Sequence, residues 1–504
     1  MKSRTTTLDL KDEAATSRLG QDIAAAVKPG DLIALEGDLG AGKTTLARAL
    51  IRAATAKPGL EVPSPTYTLV QYYDGVLPVA HFDLYRLTDG SELYELGLEE
   101  ALEQGIVVVE WPQNAADTLP SPALTVNLSE TADGGRSAIV QAAPETEARL
   151  RRSMQLRSFL ETSGWGEASR ALFVGDASTR RYETVSMPGA PPQLVMDAPE
   201  QPDGPPIREG LPYSRIAHLS ESVVPFVAVD HALRENGFSA PQISAADLAN
   251  GFLLIEDFGR EGVVNDRLEP IPDRYMSAIE LLAQAHQRKW QTAIDGPFGA
   301  RHQLPPYDRE AMMIEVELLL DWYMPAITGR QPDEGERHEF GQAWGSVISE
   351  LAGVETGLVM RDFHSPNLIW RSGHQGTDRL GLIDFQDALI GPLAYDVASL
   401  AQDARVTVAA ELEIDLLSEY CRLRKESGSF NEMDFQKSYA IMAVQRCSKI
   451  LGIFVRLDKR DGKPVYLKHL PRMREYLMRS IGHEALAPVF ALYHRWGLLD
   501  EASA

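Results

Sequence analysis

The order of apolar and polar residues predicts an α/β first part, a short β-rich stretch and a long helical remainder. Continuous apolar runs at 31–36 and 106–111 are typical of buried parallel strands, and the spacing of Leu19, Ile23 and Val27 predicts a helix that Asp12 caps. A hairpin at 172–185 and strands at 194–199 and 252–259 follow. Helices are then predicted at 275–290, 310–322, 336–351, 409–424, 431–451 and 470–479.

A glycine-rich segment joins the first apolar strand to a helical pattern. Residues 37–44, Gly-Asp-Leu-Gly-Ala-Gly-Lys-Thr, fit G-x-x-x-x-G-K-[ST]. The glycines let backbone N–H groups turn toward phosphate oxygens, and the positive end of the following helix attracts the same anion. Lys43 is expected to reach the β- and γ-phosphates and Thr44 to hold Mg²⁺. The segment therefore predicts a nucleotide site.

Three later segments carry oxygen-bearing side chains that suit this site. Residues 62–68 are polar and stiffened by proline, so they can place hydroxyls near the γ-phosphate. Asp83 ends an apolar strand and can hold the metal through water, while Glu110 ends another and can orient the attacking water. The alternatives remain that Asp83 caps a helix and that Glu110 pairs with an arginine.

A second reactive pattern lies in the helical part. Asp362, Asn367 five positions later, and Asp384 on a short apolar strand have the spacing of the catalytic loop and metal ligands of kinase-like phosphotransferases. Asp362 would face the hydroxyl that is phosphorylated, and Asn367 and Asp384 would bind Mg²⁺. Phosphoryl transfer needs in-line positioning and charge neutralisation, which three such side chains can supply. The alternative is a polar turn before a buried strand.

The predicted β-rich stretch lacks one expected cation. Kinases usually carry a lysine on the strand that corresponds to 194–199, but the sequence has no lysine between Lys57 and Lys289. Arg180 and Arg181 are the nearest substitutes, because a guanidinium binds phosphate through two hydrogen bonds. A pseudokinase that has lost the lysine is the competing interpretation.

Composition and length bear on the number of domains, the cellular compartment and nucleic-acid binding. The 504 residues suggest more than one domain, and two cysteines are too few for a disulfide framework, so a reducing compartment is expected. The start lacks the apolar run of a signal peptide and no window resembles a membrane span, so we expect a cytoplasmic location without membrane association. The net charge of −23 argues against broad, non-specific nucleic-acid binding.

The first part resembles a known family. The motifs that carry the resemblance are 37–45, Ser64-Pro65-Thr66-Tyr67-Thr68, His81-Phe82-Asp83-Leu84-Tyr85-Arg86 and Glu110-Trp111. In order and spacing they resemble the small ATPase of the bacterial tRNA threonylcarbamoyladenosine machinery, over roughly residues 5–140. The resemblance implies an ATPase that works with partner proteins of that complex. It assigns Mg²⁺ to Thr44 and Asp83, hydrolysis to Glu110 and a switch-like contact to Thr66, with nucleotide contacts from Gly37, Asp38, Gly40, Gly42, Lys43, Thr44 and Thr45.

Residues 150–500 carry a second resemblance. Its motifs include Gly175-Asp176-Ala177-Ser178, Met196-Asp197-Ala198-Pro199, Arg361-Asp362-Phe363-His364-Ser365-Pro366-Asn367, Asp384-Phe385-Gln386 and Gln445-Arg446. They resemble the aminoglycoside-phosphotransferase-like family, and within it the bacterial kinases that phosphorylate the anomeric hydroxyl of N-acetylmuramate or N-acetylglucosamine. The resemblance implies a role in peptidoglycan recycling and nucleotide contacts from Ser178, Arg180 and Arg181. Arg361 and Glu315 are candidate acceptor contacts; the alternatives are an ion pair of Arg361 with Asp396 or another acid and a helix-surface position for Glu315.

The sequence thus predicts an α/β fusion of two enzymes that use ATP and Mg²⁺. A P-loop ATPase domain with a mainly parallel sheet is expected at 1–142. A bilobal, protein-kinase-like α+β domain is expected at 148–504, with a small lobe at 148–258 and a mainly helical large lobe at 259–504. The expected partners are a small sugar substrate and the proteins of the tRNA-modifying complex. The rival interpretations are a kinase of another small alcohol, such as an aminoglycoside or choline, and a pseudokinase scaffold.

Overall fold

The computed structural model describes residues 4–132, 134–173, 180–428 and 430–499. It divides into two compact units: the first comprises residues 1–199 and 243–257, and the second comprises 200–242 and 258–504. Within the described ranges, no helix is long and apolar enough to span a membrane.

Twenty strands are assigned within the described residues. They are β1 (Arg4–Leu10), β2 (Leu32–Glu36), β3 (Val70–Tyr73), β4 (Val79–Asp83), β5 (Ile106–Glu110), β6 (Leu124–Glu130), β7 (Arg136–Ala142), β8 (Ser169–Leu172), β9 (Arg181–Ser186), β10 (Gln193–Asp197), β11 (Pro206–Arg208), β12 (Leu211–Pro212), β13 (Ile243–Asp247), β14 (Phe252–Glu256), β15 (Ala293–Asp295), β16 (Arg301–Gln303), β17 (Thr356–Val359), β18 (Leu368–Trp370), β19 (Leu380–Leu382) and β20 (Leu389–Pro392).

Sixteen α-helices occur in the same described part of the chain. They are α1 (Glu13–Ala26), α2 (Lys43–Thr55), α3 (Glu92–Glu95), α4 (Leu98–Gln104), α5 (Pro144–Thr162), α6 (Tyr213–Ile216), α7 (Val224–Glu235), α8 (Pro272–Ala285), α9 (Arg309–Leu318), α10 (Met324–Thr328), α11 (Glu334–Ser349), α12 (Ala394–Ala401), α13 (Ala410–Glu426), α14 (Glu432–Lys459), α15 (Leu470–Ser480) and α16 (Ala487–Arg495). A π-helical turn, Leu319–Tyr323, connects α9 to α10.

The first unit is built on a seven-stranded sheet in the order β1-β7-β6-β2-β5-β4-β3. Its four central strands are parallel, and β1, β7 and β3 add antiparallel pairings at the two margins. The apolar runs predicted as strands form β2 and β5, which are buried. The predicted cap is confirmed, since the Asp12 carboxylate accepts a hydrogen bond from Ala15 N at 2.7 Å. This sheet places the glycine-rich segment at the end of β2.

A second sheet of the same unit is antiparallel, in the order β13-β14-β10-β9-β8. Helix α5 serves both sheets, because Leu150 packs in the core of the first while Leu156, Phe159 and Leu160 pack in the core of the second. No polar tether separates the two, since α5 begins two residues after β7 ends. The two sheets therefore share one helix.

A buried ion cluster reinforces that junction. Asp22 on α1 accepts hydrogen bonds from Arg157 on α5, at 2.9 Å, and from Arg170 on β8, at 2.6 Å. Arg170 also donates two hydrogen bonds to the Glu183 carboxylate on β9, one from Nε and one from Nη2. The α1 helix is thus tied directly to the edge of the second sheet. We call this set the Asp22 cluster.

Helices dominate the second unit, as the apolar spacing predicted. The longest, α14, runs to Lys459, eight residues past the predicted end at 451. Gly452, the residue after that predicted end, has a packing role: a Cβ there would lie 2.2 Å from the backbone of Leu318. Glycine therefore permits close contact between α14 and the end of α9 without ending the helix.

Candidate active sites

The glycine-rich segment of the first unit forms a tight loop between β2 and α2. Gly37, Gly40 and Gly42 all have positive φ, the backbone region that glycine enters without strain. At Gly37 a side chain is also excluded by space, because a Cβ would lie 2.3 Å from Leu128 O. The loop leads into the N-terminus of α2, where backbone N–H groups lack intrahelical partners.

Lys43 is held inside its own loop. Its ammonium donates to Gly37 O at 2.8 Å and to Asp38 O at 2.9 Å, and lies 3.7 Å from the ring centroid of Trp111. Burial lowers the pKa of Lys43, and the nearby carboxylates of Glu110, Asp83 and Asp38 oppose this shift. Two of the three N–H donors of the Lys43 ammonium are thus bonded within the loop.

Glu110 connects two other residues of the site. Its Oε2 accepts a hydrogen bond from the Thr44 hydroxyl at 3.0 Å, and its Oε1 lies 3.0 Å from His81 Nε2. His81 is fully buried on β4 and was missed as a site residue by sequence reasoning. Its position two residues before Asp83 was the available signal, because alternate residues of a strand share one face.

Asp83 gathers the hydroxyls of the proline-stiffened segment. Its Oδ2 accepts hydrogen bonds from Thr66, at 2.9 Å, and from Ser64. In the sheet, Asp83 lies beside Glu110 in the parallel register of β4 and β5. A cleft of about 410 Å³ is lined by residues from all these segments, including Gly40, Gly42, Lys43, Thr44, Thr45, Thr66, Asp83 and Glu110. The structure thus brings the predicted residues of this site together; the side chain of Asp38 is exposed.

The second unit brings the kinase-like residues together around a short loop. After β17, Arg361 adopts a positive φ of 72°, and Ser365–Asn367 form a 3-10 turn before β18. Asn367 Nδ2 donates to Asp362 O at 2.9 Å and lies 3.5 Å from Asp384 Oδ2. Asp384 follows β19, also with a positive φ. The three predicted oxygen-bearing residues therefore form one cluster.

A buried acid, Asp396, fixes the backbone of that loop. Asp396 on α12 is fully buried, and its two carboxylate oxygens accept hydrogen bonds from the backbone N–H of Met360, at 2.6 Å, and of Arg361, at 2.9 Å. Burial raises the pKa of Asp396 to about 7. The loop thus has its backbone donors satisfied immediately before Asp362.

Arg361 and Glu315 meet in the interior rather than at the surface. Glu315 on α9 pairs with Arg361 and with Lys449 on α14, whose ammonium lies 2.8 Å away. It also accepts hydrogen bonds from Gln445 and Tyr307. Burial alone would raise the pKa of Glu315, but Lys449 and Arg361 lower it to about 2. We call Glu315, Arg361 and Lys449 the Glu315 cluster; sequence reasoning missed Lys449, which lies 134 residues from Glu315.

The predicted phosphate-contacting residues of the small lobe belong to the first unit. Ser178 lies outside the described residues. Arg181 begins β9 with an exposed side chain, and Arg180 precedes it. The strand that lacks the lysine is β10, where Asp197 accepts hydrogen bonds from Arg152.

Comparison with known proteins bears on both sets of residues. A model of the phosphotransferase enzyme family matches residues 169–430, more than half of the chain. The chain belongs to this family. Residues 10–138 match the family model of the threonylcarbamoyl adenosine biosynthesis protein TsaE. The protein is therefore a fusion of a TsaE-type ATPase part with a phosphotransferase part, and both resemblances are confirmed.

Relatives cover the two parts separately. An N-acetylmuramate/N-acetylglucosamine kinase of Caulobacter vibrioides is 32% identical over 351 residues, which are 67% of this chain and 95% of the relative. The tRNA threonylcarbamoyladenosine biosynthesis protein TsaE of Rickettsia felis is 39% identical over 122 residues, which are 24% of this chain and 71% of the relative. The solved structure of Bacillus YdiB is 29% identical with a TM-score of 0.27, covering 31% of this chain and 97% of that one. The predicted fold class, a P-loop domain followed by a kinase-like α+β domain, is confirmed by the family models and the sheet topology.

Proposed function

We propose that the phosphotransferase part transfers the γ-phosphoryl group of ATP to the anomeric hydroxyl of N-acetylmuramate or N-acetylglucosamine, in peptidoglycan recycling. The cluster of Asp362, Asn367 and Asp384 carries the proposal, because it brings a proton acceptor and two metal ligands together from the loop before β18 and the segment after β19. The named sugar comes from relatives whose length the chain matches almost entirely. We propose that the domain boundary lies between residues 142 and 148. We also propose a cytoplasmic location, because free, buried cysteines are typical of a reducing compartment.

In this reaction Asp362 accepts the proton of the sugar hydroxyl. The hydroxyl oxygen forms a bond to the γ-phosphorus while the bond from that phosphorus to the bridging oxygen of ADP breaks. Arg361 holds the loop that carries Asp362 in place. Its guanidinium forms an ion pair with Glu315, and its backbone N–H donates a hydrogen bond to Asp396. We propose that this buried support, rather than contact with the acceptor, is the role of Arg361 and Glu315.

The donor set fits Mg²⁺. Asn367 and Asp384 offer an amide and a carboxylate oxygen, and Mg²⁺ is commonly held by one or two such groups together with substrate phosphates. Among the described residues no group of three or more His, Cys, Asp or Glu is placed to hold a metal without such phosphates. Bound at Asn367 and Asp384, the ion would neutralise charge on the phosphates. We assign the corresponding role in the first unit to Thr44 and Asp83.

The decisive experiment incubates the protein with ATP, Mg²⁺ and each of N-acetylmuramate, N-acetylglucosamine, choline and kanamycin, and identifies products by mass and phosphorus NMR. We expect an anomeric sugar phosphate. Asp362→Asn should lower kcat by roughly 10²–10⁴-fold, the range that general acid–base groups contribute. Asp415→Asn, an exposed change on α13, is the matched control and should leave kcat unchanged. Product from choline or kanamycin alone would favour the rival kinases, and an Asp362-independent product would contradict the assignment.

We propose that the first part hydrolyses ATP in tRNA threonylcarbamoyladenosine modification together with partner proteins. The cleft lined by Lys43, Thr44, Asp83 and Glu110 supports this proposal. In it, Glu110 accepts a hydrogen bond from the hydroxyl of Thr44, the proposed metal ligand. Lys43→Ala should abolish ATP hydrolysis measured without sugar, while sugar phosphorylation persists. Loss of both activities together would contradict separate sites.

A further inference from the structure

The second unit contains a cleft that no prediction above uses. It has a volume of about 350 Å³ and is lined by polar side chains that include Ser214, His218, Glu221, His302, Gln303 and Gln386. Small-molecule sites typically occupy roughly 300–1,000 Å³, so the cleft is large enough for a single sugar ring. Its distance from the reacting residues decides whether it can hold the acceptor.

Hydrogen bonds fasten one wall of the cleft to the reacting loop. Arg361, which precedes Asp362, donates to Ala217 O at 2.8 Å. Ser220 N donates to the Asp387 carboxylate at 2.7 Å, three residues after Asp384. The segment 214–222 thus connects the two stretches that carry the proposed proton acceptor and metal ligand. The cleft lies beside them.

Gln386 links the cleft to the metal ligand. It is only 4% exposed, and its Nε2 donates to Asp384 Oδ1 at 3.0 Å. Its amide oxygen is buried without a hydrogen-bond partner among the described residues, and so is Nε2 of His302, which lines the same cleft. Buried polar atoms without partners are costly and rare in folded proteins. Hydroxyl or amide groups of a ligand would satisfy both.

Several charged side chains of the cleft are paired. Glu221 accepts a hydrogen bond from Ser214 and pairs with Arg215, at 2.8 and 3.1 Å. His218 lies 3.2 Å from Asp308. Burial lowers the pKa of His302, which favours its neutral form. Glu200 also lines the cleft. Paired charges and neutral donors suit a hydroxylated, N-acetylated ring.

We propose that this cleft binds the acceptor sugar, and that Gln386 positions Asp384 relative to that sugar. The proposal rests on the proposed kinase function and adds the location of the acceptor. Gln386 is a positioning residue: its amide nitrogen holds Asp384, and its amide oxygen receives a hydrogen bond from a sugar hydroxyl.

Steady-state kinetics with N-acetylmuramate and ATP test whether this cleft binds the acceptor sugar. His302→Leu and Ser214→Ala should each raise KM for the sugar by about 3- to 10-fold, the effect of one lost neutral hydrogen bond, while KM for ATP stays constant. Gln386→Met should also lower kcat, because Asp384 loses the hydrogen bond from Gln386 Nε2. Ser214→Ala keeps the test valid if a buried substitution prevents folding.

The control is a second cleft of the same unit, of about 290 Å³, which Asp434 lines. Asp434→Asn should leave both KM values unchanged. An unchanged sugar KM in His302→Leu and Ser214→Ala would overturn the cleft assignment even if the wild-type enzyme makes sugar phosphate. If it makes none, the proposed function fails, and calorimetric titration with N-acetylglucosamine decides the cleft: binding lost in Ser214→Ala supports it, and no binding by wild type overturns it.

Discussion

Each of the two units contains a buried acid that lies between two cations. The two clusters differ in which parts of the chain they join. In the first unit Asp22 pairs with Arg157 and Arg170. In the second, Glu315 pairs with Arg361 and Lys449. Removing one member of such a cluster leaves a buried charge uncompensated, which is more costly than the pair is stabilising.

The difference concerns what the clusters join. Glu315 and Arg361 both lie inside the range that matches the phosphotransferase family, so that cluster supports the reacting loop from within one enzyme. Asp22 lies in the TsaE range and Arg170 in the phosphotransferase range. The Asp22 cluster therefore exists only because the two parts are fused, and it makes the junction part of a folded core.

The largest expected effect is that of Glu315→Gln. Arg361 and Lys449 would then lie together without their acid, and loss of one partner of a buried ion pair costs about 3–5 kcal/mol. We expect lower sugar-kinase activity and a lower denaturant midpoint for its loss, with ATP hydrolysis by the first unit retained. Glu317→Gln on the same helix, which removes a more exposed pair with Arg208, should have a much smaller effect. Equal effects would contradict a special role for the Glu315 cluster.

Asp22→Asn should have a smaller effect, because Arg170 keeps its bonds to Glu183. A cost of roughly 2–3 kcal/mol is expected for the remaining unpaired guanidinium of Arg157. Since α1 and β8 belong to one unit, heating should inactivate ATP hydrolysis and sugar phosphorylation together at a lower temperature. Loss of ATP hydrolysis alone would show that the junction is not shared.

The Glu315 cluster should also respond to acid. The folded-state pKa of Glu315, about 2, lies below its usual value, so the unfolded chain binds more protons between pH 4.5 and pH 2. The resulting stability is fully present above pH 4.5 and is lost as the pH falls, at up to about 1.4 kcal/mol per pH unit. Urea unfolding of the second unit between pH 5 and pH 3 should therefore show a shallower decline in Glu315→Gln than in wild type. A parallel decline would contradict the assignment.

The smallest effect is expected at Glu167. It pairs with Arg18 across the same α1 junction as the Asp22 cluster, at 2.7 Å, but its side chain is 77% exposed. Exposed pairs contribute about 0–1 kcal/mol, so Glu167→Gln should leave the inactivation temperature almost unchanged. A loss comparable with that of Asp22→Asn would show that burial does not distinguish the two contacts.

Much of each site could be predicted because its residues follow local rules. The glycines at 37, 40 and 42 and the Asp362–Asn367 spacing depend on backbone conformation over a few residues, and they occur in the structure as expected. His81 and Lys449 escaped prediction. Each reaches its site through a partner 29 or 134 residues away. Strand alternation with Asp83 was a local signal for His81, whereas nothing near Lys449 in the sequence indicates its contact with Glu315.

The sequence by itself determined the two motifs, the alternation of strands and helices and the residue types available for phosphate and metal binding, because periodicity and turn chemistry act over short distances. The tertiary structure decided which charges are buried together. Arg361 faces Glu315 rather than the surface, and Asp22 meets Arg170 across 148 residues. It also placed the polar cleft beside Asp384. These arrangements depend on how whole elements pack, and that packing is set by the burial of apolar faces contributed by the entire chain.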